Sequence, residues 1–392
     1  MTGRKTTWIY YILQILYWSE SSIVFVYCGA FLQQCGLNNA QIGAFLAAAN
    51  ILCFILSNVL AVVIDRRSVL YSASASILLQ AGGIALSLGL ILFKKHALVT
   101  GGLYMLLISC FLSAGTIYNK LYTDIRINGA EINFARARGA GSLSFALTSL
   151  LLAFAVPRSS VRIILYLAVA VSAVQLFLLL SIKPLVSGGG EDASADQGSG
   201  DMFSFLRKNT GFALLLLGLI LVFAANSALN NFYYLVIENI NGPPSGLGTV
   251  NFVLALLELL VMIWYGRRSR KNTFRPLAVS LLFFPAKMLA IALARNMPEL
   301  YAANILHAIS FGLYTPVIVD YVNEYIPFSD SAKGHSLTGS SVQLGAFLST
   351  VAFGFLFDQL PVKSCLLILS SLAAVGVPIG LFGIRKQTKK SG

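Results

Sequence analysis

Apolar residues along this chain neither alternate nor form narrow stripes. They come in long, almost uninterrupted runs, separated by short segments that hold the charges and many of the Asn, Gly and Pro residues. A run of about 20 apolar residues is the length that crosses a bilayer as an α-helix. Inside the bilayer a helix satisfies its own backbone groups, which an open strand cannot do. The pattern predicts twelve spans, over residues 8–34, 39–64, 69–93, 97–121, 138–156, 161–182, 210–237, 246–265, 275–294, 299–322, 335–357 and 362–384. One segment has no apolar spacing at all. Residues 187–201, SGGGEDASADQGSGD, are acidic and rich in Gly and Ser, the composition of a flexible linker. The predicted organisation is an N-terminal six-helix half over 1–183, a linker over 184–208 and a C-terminal six-helix half over 209–392.

The halves carry matching words. ARGAGSLSF opens the fifth run and AKGHSLTGS opens the eleventh, with Arg138-Gly139 lying 195 residues before Lys333-Gly334. SAGTIY in the fourth run precedes SFGLYT in the tenth by 197, and Asp124 precedes Asp320 by 196. A near-constant offset is the mark of a duplicated unit, and transporters built from such repeats hold their substrate near the midplane. Runs five and eleven are rich in Gly, Ala and Ser. Between membrane helices, small side chains let backbones approach closely, so these two runs are expected in the interior.

Composition agrees with a membrane protein: 57% of residues are hydrophobic and only 11% charged, where a soluble domain carries about 25%. The net charge of +13 raises the question of nucleic acid, and its distribution answers it. With twelve spans both termini lie on one side. Of the 28 Lys and Arg residues, 20 fall on that side, six fall opposite, and Lys120 and Lys287 lie within spans or at their edge. This bias places the termini in the cytoplasm and makes anionic lipid, not nucleic acid, the partner of the basic excess. The first run is too long and too polar for a cleavable signal. The five cysteines, at 28, 35, 53, 110 and 365, are scattered without a CxxC, so neither a disulfide framework nor a metal site is expected.

Enzyme signatures are missing: there is no HExxH, no phosphate-binding glycine loop, and GHSLT at 334–338 lacks the final glycine of a nucleophile elbow. The chemistry lies in ionisable groups within apolar runs, which are expensive there and point to function. Glu258, between LALL and LLVM, is the leading candidate for proton coupling. Glu20 and His307 are candidate helpers, although a serine-flanked Glu20 also suits a structural contact and His307 suits a bond to a backbone carbonyl. Lys287 lies two residues after Pro285 in the ninth run. Asn226, Asn230 and Tyr234 repeat every four residues, which predicts a polar stripe on one helix face. Asp65, Asp124 and Asp320, at span ends, are candidate gate latches, and Lys120 is spaced to pair with Asp124.

Several stretches resemble one transporter family. NFARARGAGSLSFAL resembles the fifth span of lactose permease and its relatives, where Phe-x-Arg-Ala-Arg opens the helix. LHAISFGLY at 306–314 and ALLELLVMIWYGRR at 255–268 resemble spans ten and eight of the phenylpropionate-permease-like group. DRR at 65–67 matches a remnant of the superfamily's loop motif. The resemblance is to the lactose permease, nucleoside symporter and phenylpropionate permease-like branch of the major facilitator superfamily. It implies two parallel six-helix halves, alternating access, a monomer and no cofactor. It also implies that Arg138 binds substrate, that Phe145 stacks on it in the place of a tryptophan, and that Glu258 serves substrate and coupling. At Lys120 the chain departs from the pattern: the family has a glutamate there, which accepts sugar hydroxyls and neutralises the arginine.

The expectation is therefore an all-α, twelve-helix protein of the inner membrane that carries out proton-coupled symport of a small organic solute. Arg138, Lys120, Phe145, Asn226, Asn230 and Lys287 are its candidate substrate contacts. Surplus positive charge at Lys120 and Arg138 leans the substrate toward an organic anion such as an aromatic carboxylate. A sugar or nucleoside symporter and a proton-coupled exporter are the alternatives. The expected partners are the substrate, protons and the bilayer.

Overall fold

The structure, a computed structural model, describes residues 2–66, 72–92, 96–127, 134–186, 202–267, 272–327 and 330–391. Among these residues every regular element is helical, and twelve segments are long and apolar enough to cross a membrane. They follow the twelve expected runs.

Three of the runs are not continuous helices. The first is divided into α1 (Thr2–Phe25) and α2 (Cys28–Gln34). Near this break the Tyr104 hydroxyl donates to the Val24 carbonyl at 2.7 Å, so a backbone acceptor at the end of α1 is satisfied away from water. After α3 (Asn39–Arg66), α4 (Ser72–Leu92), α5 (Ala97–Ile127), α6 (Phe134–Arg158), α7 (Ile163–Val186) and the short α8 (Met202–Lys208), the seventh run divides at Phe232 into α9 (Thr210–Asn231) and α10 (Tyr233–Asn239). Then come α11 (Gly246–Gly266), α12 (Phe274–Leu293) and α13 (Met297–Asn304). A π-helical turn, Ala308–Gly312, separates α13 from α14 (Leu313–Tyr325) in the tenth run, and α15 (Ser331–Gln359) and α16 (Val362–Ser391) close the chain. Of the expected linker, 184–208, both ends are helical, in α7 and α8, and residues 187–201 lie outside the described residues.

Local chemistry sets several helix ends. At the start of α3, Asn38 and Gln41 exchange backbone-to-side-chain hydrogen bonds in a capping box. Asn296 caps α13 through the Glu299 amide at 3.0 Å, and Glu299 reaches back to the Arg295 amide. Gly36, with φ of 91°, turns the chain after α2, where a side chain would be strained.

By their contacts the residues group into two units, Met1–Ala195 with Leu247–Phe252, and Asp196–Gly246 with Val253–Gly392. In the first, α1 packs on α6 and α7, α4 on α7 and α5, and α3 on α5. In the second, α9 packs on α15 and α16, α12 on α16 and α14, and α11 meets the tenth span at Gly312 and His307. In spans, the order 5-1-6-3-4-2 recurs as 11-7-12-9-10-8. The duplication seen in short words is thus a duplication of packing.

Glycine makes the closest of these contacts possible. A Cβ on Gly218 of α9 would lie 2.6 Å from the Gly380 backbone nitrogen, and one on Gly211 would lie 2.5 Å from the Gln387 nitrogen. Helices α9 and α16 therefore touch backbone to backbone, where dispersion holds them without help from water. Runs five and eleven, expected to pack through their glycines, do so in part. Gly141 faces Trp18 and Gly345 faces the Ile220 carbonyl, while a Cβ on Gly139 or Gly339 would meet nothing within 4 Å.

Candidate functional site

Within the C-terminal unit four predicted residues come together from four spans. α9 contributes Asn226, α11 Glu258, α12 Lys287, and the tenth span His307. The Lys287 ammonium donates to Asn226 Oδ1 at 2.7 Å and lies 3.4 Å from His307 Nδ1. His307 Nε2 lies 2.7 Å from Glu258 Oε1. Lys287 is 1% exposed and His307 3%, so neither ion nor imidazole has bulk water to turn to. Hydrogen-bond polarity then orders the cluster. With Lys287 as an ammonium, which can only donate, His307 Nδ1 accepts, Nε2 carries the proton, and that N–H donates to the Glu258 carboxylate. In that protonation state the chain Asn226–Lys287–His307–Glu258 is a proton-ordered path with one cation and one anion.

The elements that hold it have visible causes. His307 immediately precedes the π turn, whose wider winding re-aims side chains; such turns recur at functional sites. Its ring stacks on Phe311, centroids 5.3 Å apart. Gly312 closes the turn, and a Cβ there would lie 3.5 Å from Glu258 Cα, so the tenth span runs close to α11. Pro285 stands inside α12 two residues before Lys287, and its carbonyl accepts from Ser370 Oγ at 3.0 Å. The Phe284 ring, 5.4 Å from Lys287 Nζ, adds a weak cation–π contact.

Two expectations change here. Glu258, which its position within an apolar run would bury, has 27% of its side chain exposed; among the described residues Oε1 is held by His307, while Oε2 has no bonding partner. The polar stripe does not form. Asn226 is buried, Asn230 is exposed, and Tyr234 lies beyond the break at Phe232, which ends the four-residue register. Asn226 and Lys287, expected as substrate contacts, bond to each other, and Lys287 also reaches His307.

In the N-terminal unit Arg138, Ser142 and Phe145 share one face of α6. Arg138 Nη1 donates to Ser142 Oγ at 2.7 Å, and the guanidinium carbon lies over the Trp18 ring, 3.6 Å from its centroid. Gly141 leaves room for that indole. Two further contacts fix the register of α1 on α6: Ser144 Oγ donates to the Ile15 carbonyl, and Ser22 and Ser149 pair at 2.8 Å. Phe145 is half-buried and Arg136 exposed. Glu20 is buried in a separate network with Ser172 and Gln175 of α7. Asp320 is half-buried; the side chains of Lys120, Asp65 and Asp124 lie outside the described residues. Sequence reasoning missed Trp18, Ser142, Ser172 and Gln175. The signal for the last two was present: two polar residues three apart in an otherwise apolar run share one helix face.

The sequence profile described as the MFS_1 like family matches residues 7–368. A maltose permease of Geobacillus stearothermophilus is 25% identical over 264 residues, which span 66% of this chain and 65% of that relative's length. The nucleoside transporter NupG has the same fold, with a TM-score of 0.81 at 14% identity over 98% of this chain and 99% of its own. A bacterial homolog of the human lysosomal transporter Spinster, inward-facing and occupied, superposes with a TM-score of 0.73 at 12% identity over 100% and 99%. At these identities the likeness to solved structures is one of fold.

Proposed function

Because the chain belongs to the MFS_1 like family and is a multi-pass membrane transporter of the major facilitator class, we propose that it carries out proton-coupled symport of a small organic solute by alternating access. The Glu258–His307–Lys287–Asn226 cluster carries this reading. As drawn, the cluster is electrically balanced. A proton on Glu258 Oε2 cancels the anion and leaves Lys287 uncompensated inside the protein. Such an imbalance is costly in a low-dielectric setting, so proton arrival favours a change of conformation or the arrival of a balancing group. Glu258, partly exposed where His307 is buried, is the member of the cluster that exchanges the proton in this reading. Both termini and the 187–201 segment face the cytoplasm of an inner-membrane protein in this reading, on the strength of the basic bias.

Arg138 supports an organic anion as the solute. A guanidinium edge suits a carboxylate, and Phe145, two turns along the same face, offers a ring to stack on. The second reading, a neutral sugar or nucleoside, is favoured by the partly exposed Glu258 carboxylate, an acceptor for a hydroxyl donor. Its substrate class also agrees with the printed names of the maltose permease and the nucleoside transporter. A thermal-shift screen of purified protein against organic acids, nucleosides and sugars decides between the two. Stabilisation by carboxylates that is lost in Arg138→Gln supports the anion. Stabilisation by maltose or uridine alone replaces it with the neutral solute, and stabilisation by none of these classes counts against both.

A further inference from the structure

We propose that Glu20 is a second proton-binding site, distinct from the Glu258 cluster and built within the N-terminal unit by α1, α4, α5 and α7. Its consequence for the cycle rests on the proton-coupled reading above; its chemistry does not. Glu20 is 2% exposed. Ser172 Oγ donates to its Oε1 at 2.6 Å, and Gln175 Nε2 donates to its Oε2. The far end of the Gln175 amide is engaged as well: its Oε1 accepts from the Tyr118 hydroxyl at 2.8 Å and from Gln80 Nε2 at 3.2 Å. Ser172, Gln175 and Gln80 are 1%, 0% and 3% exposed. The ionisable groups that act on Glu20 are phenols, Tyr17 of α1 and Tyr118 of α5. Arg138 of α6 and Cys53 of α3 act on Tyr17.

The two carboxylate oxygens differ in what they tolerate. A proton at Oε2 would meet the Gln175 N–H. If that amide turned to receive it, its N–H groups would face the Gln80 donor, so the Gln80 amide would have to turn as well. A proton at Oε1 meets a hydroxyl, which can reverse. Glu20 Oε1–H then donates to Ser172 Oγ, and the Ser172 proton swings to the Ala168 carbonyl one turn back on α7, a bond that helical serines commonly make. One proton is gained, no heavy atom moves far, and every donor keeps an acceptor. A group placed only to tie helices together needs no such reversible partner. Serine at 172 with glutamine at 175 gives one yielding contact and one fixed contact, which suits a carboxyl that loads and unloads.

Infrared difference spectroscopy on the purified full-length protein, stepped between acidic and alkaline pH, tests the assignment without a substrate. In the wild type a protonated-carboxyl band should appear on the acid side. One component of that band should be lost in Glu20→Gln, shifted in frequency in Ser172→Ala, and retained in Glu258→Gln. Ser172→Ala keeps the carboxyl, so the shift is readable even if Glu20→Gln folds poorly. A wild-type-minus-Glu20→Gln spectrum with no carboxyl component overturns the proposal, as does a band that Ser172→Ala leaves in place. Loss of proton-driven transport in Glu258→Gln with the Glu20 band intact separates the two sites. An intact Glu20 band beside uncoupled transport in the wild type removes the coupling reading and leaves this one standing.

Discussion

A neutral imidazole has one donor and one acceptor, and at His307 both are taken, by Glu258 and by Lys287. The cluster's stability therefore depends on the two charges together. Lys287→Met removes the cation and leaves the Asn226 carbonyl and the Glu258 carboxylate without compensation; it should lower the thermal stability of the purified protein. Adding Glu258→Gln should restore part of the loss, because the double variant is again neutral. A coupling of about 0.5–3 kcal/mol is the usual range for residues that share a network, and strictly additive losses would show that the charges do not communicate. Arg138 is held differently, by a ring face and a hydroxyl. Arg138→Lys keeps the charge but loses the planar fork, so substrate affinity should fall about tenfold or more, the effect of about 1.4 kcal/mol. Trp18→Phe should retain more affinity than Trp18→Ala, because a smaller ring still covers the guanidinium. Equal affinities in all three variants would remove Arg138 from substrate binding.

At the scale of elements, glycine separates contact from coincidence. Gly218→Ala drives a methyl into the α16 backbone and should cost about 1–3 kcal/mol, as overpacking does. Gly339→Ala meets open space and should be neutral or slightly stabilising, since alanine favours helix by up to about 1 kcal/mol. Melting of the two variants in detergent compares them directly; equal effects would mean that the α9–α16 contact is not tight. The same contrast shows how much the sequence made legible. The length and apolarity of the runs set the twelve spans, because one span's physics is local. The polar groups in them were legible one by one, since an ionisable residue in an apolar run stands out. Which of them would meet was not legible. Asn226, Glu258, Lys287 and His307 lie up to 81 residues apart, and their meeting depends on helix order and rotation, which neighbouring spans decide. The break at Phe232 was equally hidden, because an apolar run reads the same whether its helix continues or restarts. Trp18 carried no signal as the companion of Arg138, since aromatics are common in every span.

For the whole molecule, the duplicated packing order and the basic bias make linked claims. An even number of spans sets both termini on one side, and the positive-inside rule makes that side cytoplasmic. Single cysteines introduced in 187–201 and in 241–246, in a background without the native five, should label from opposite faces in intact cells. Labelling of both from outside would overturn the topology. The central claim is that a proton on Glu258 drives solute movement, and uptake into proteoliposomes under an imposed pH gradient tests it most directly. For the solute that the thermal-shift screen identifies, wild-type vesicles should accumulate it above equilibrium when the outside is acidic. Glu258→Gln should abolish that accumulation while retaining part of the solute exchange at equal pH. Undiminished accumulation in Glu258→Gln, or wild-type uptake indifferent to the gradient, would contradict the account.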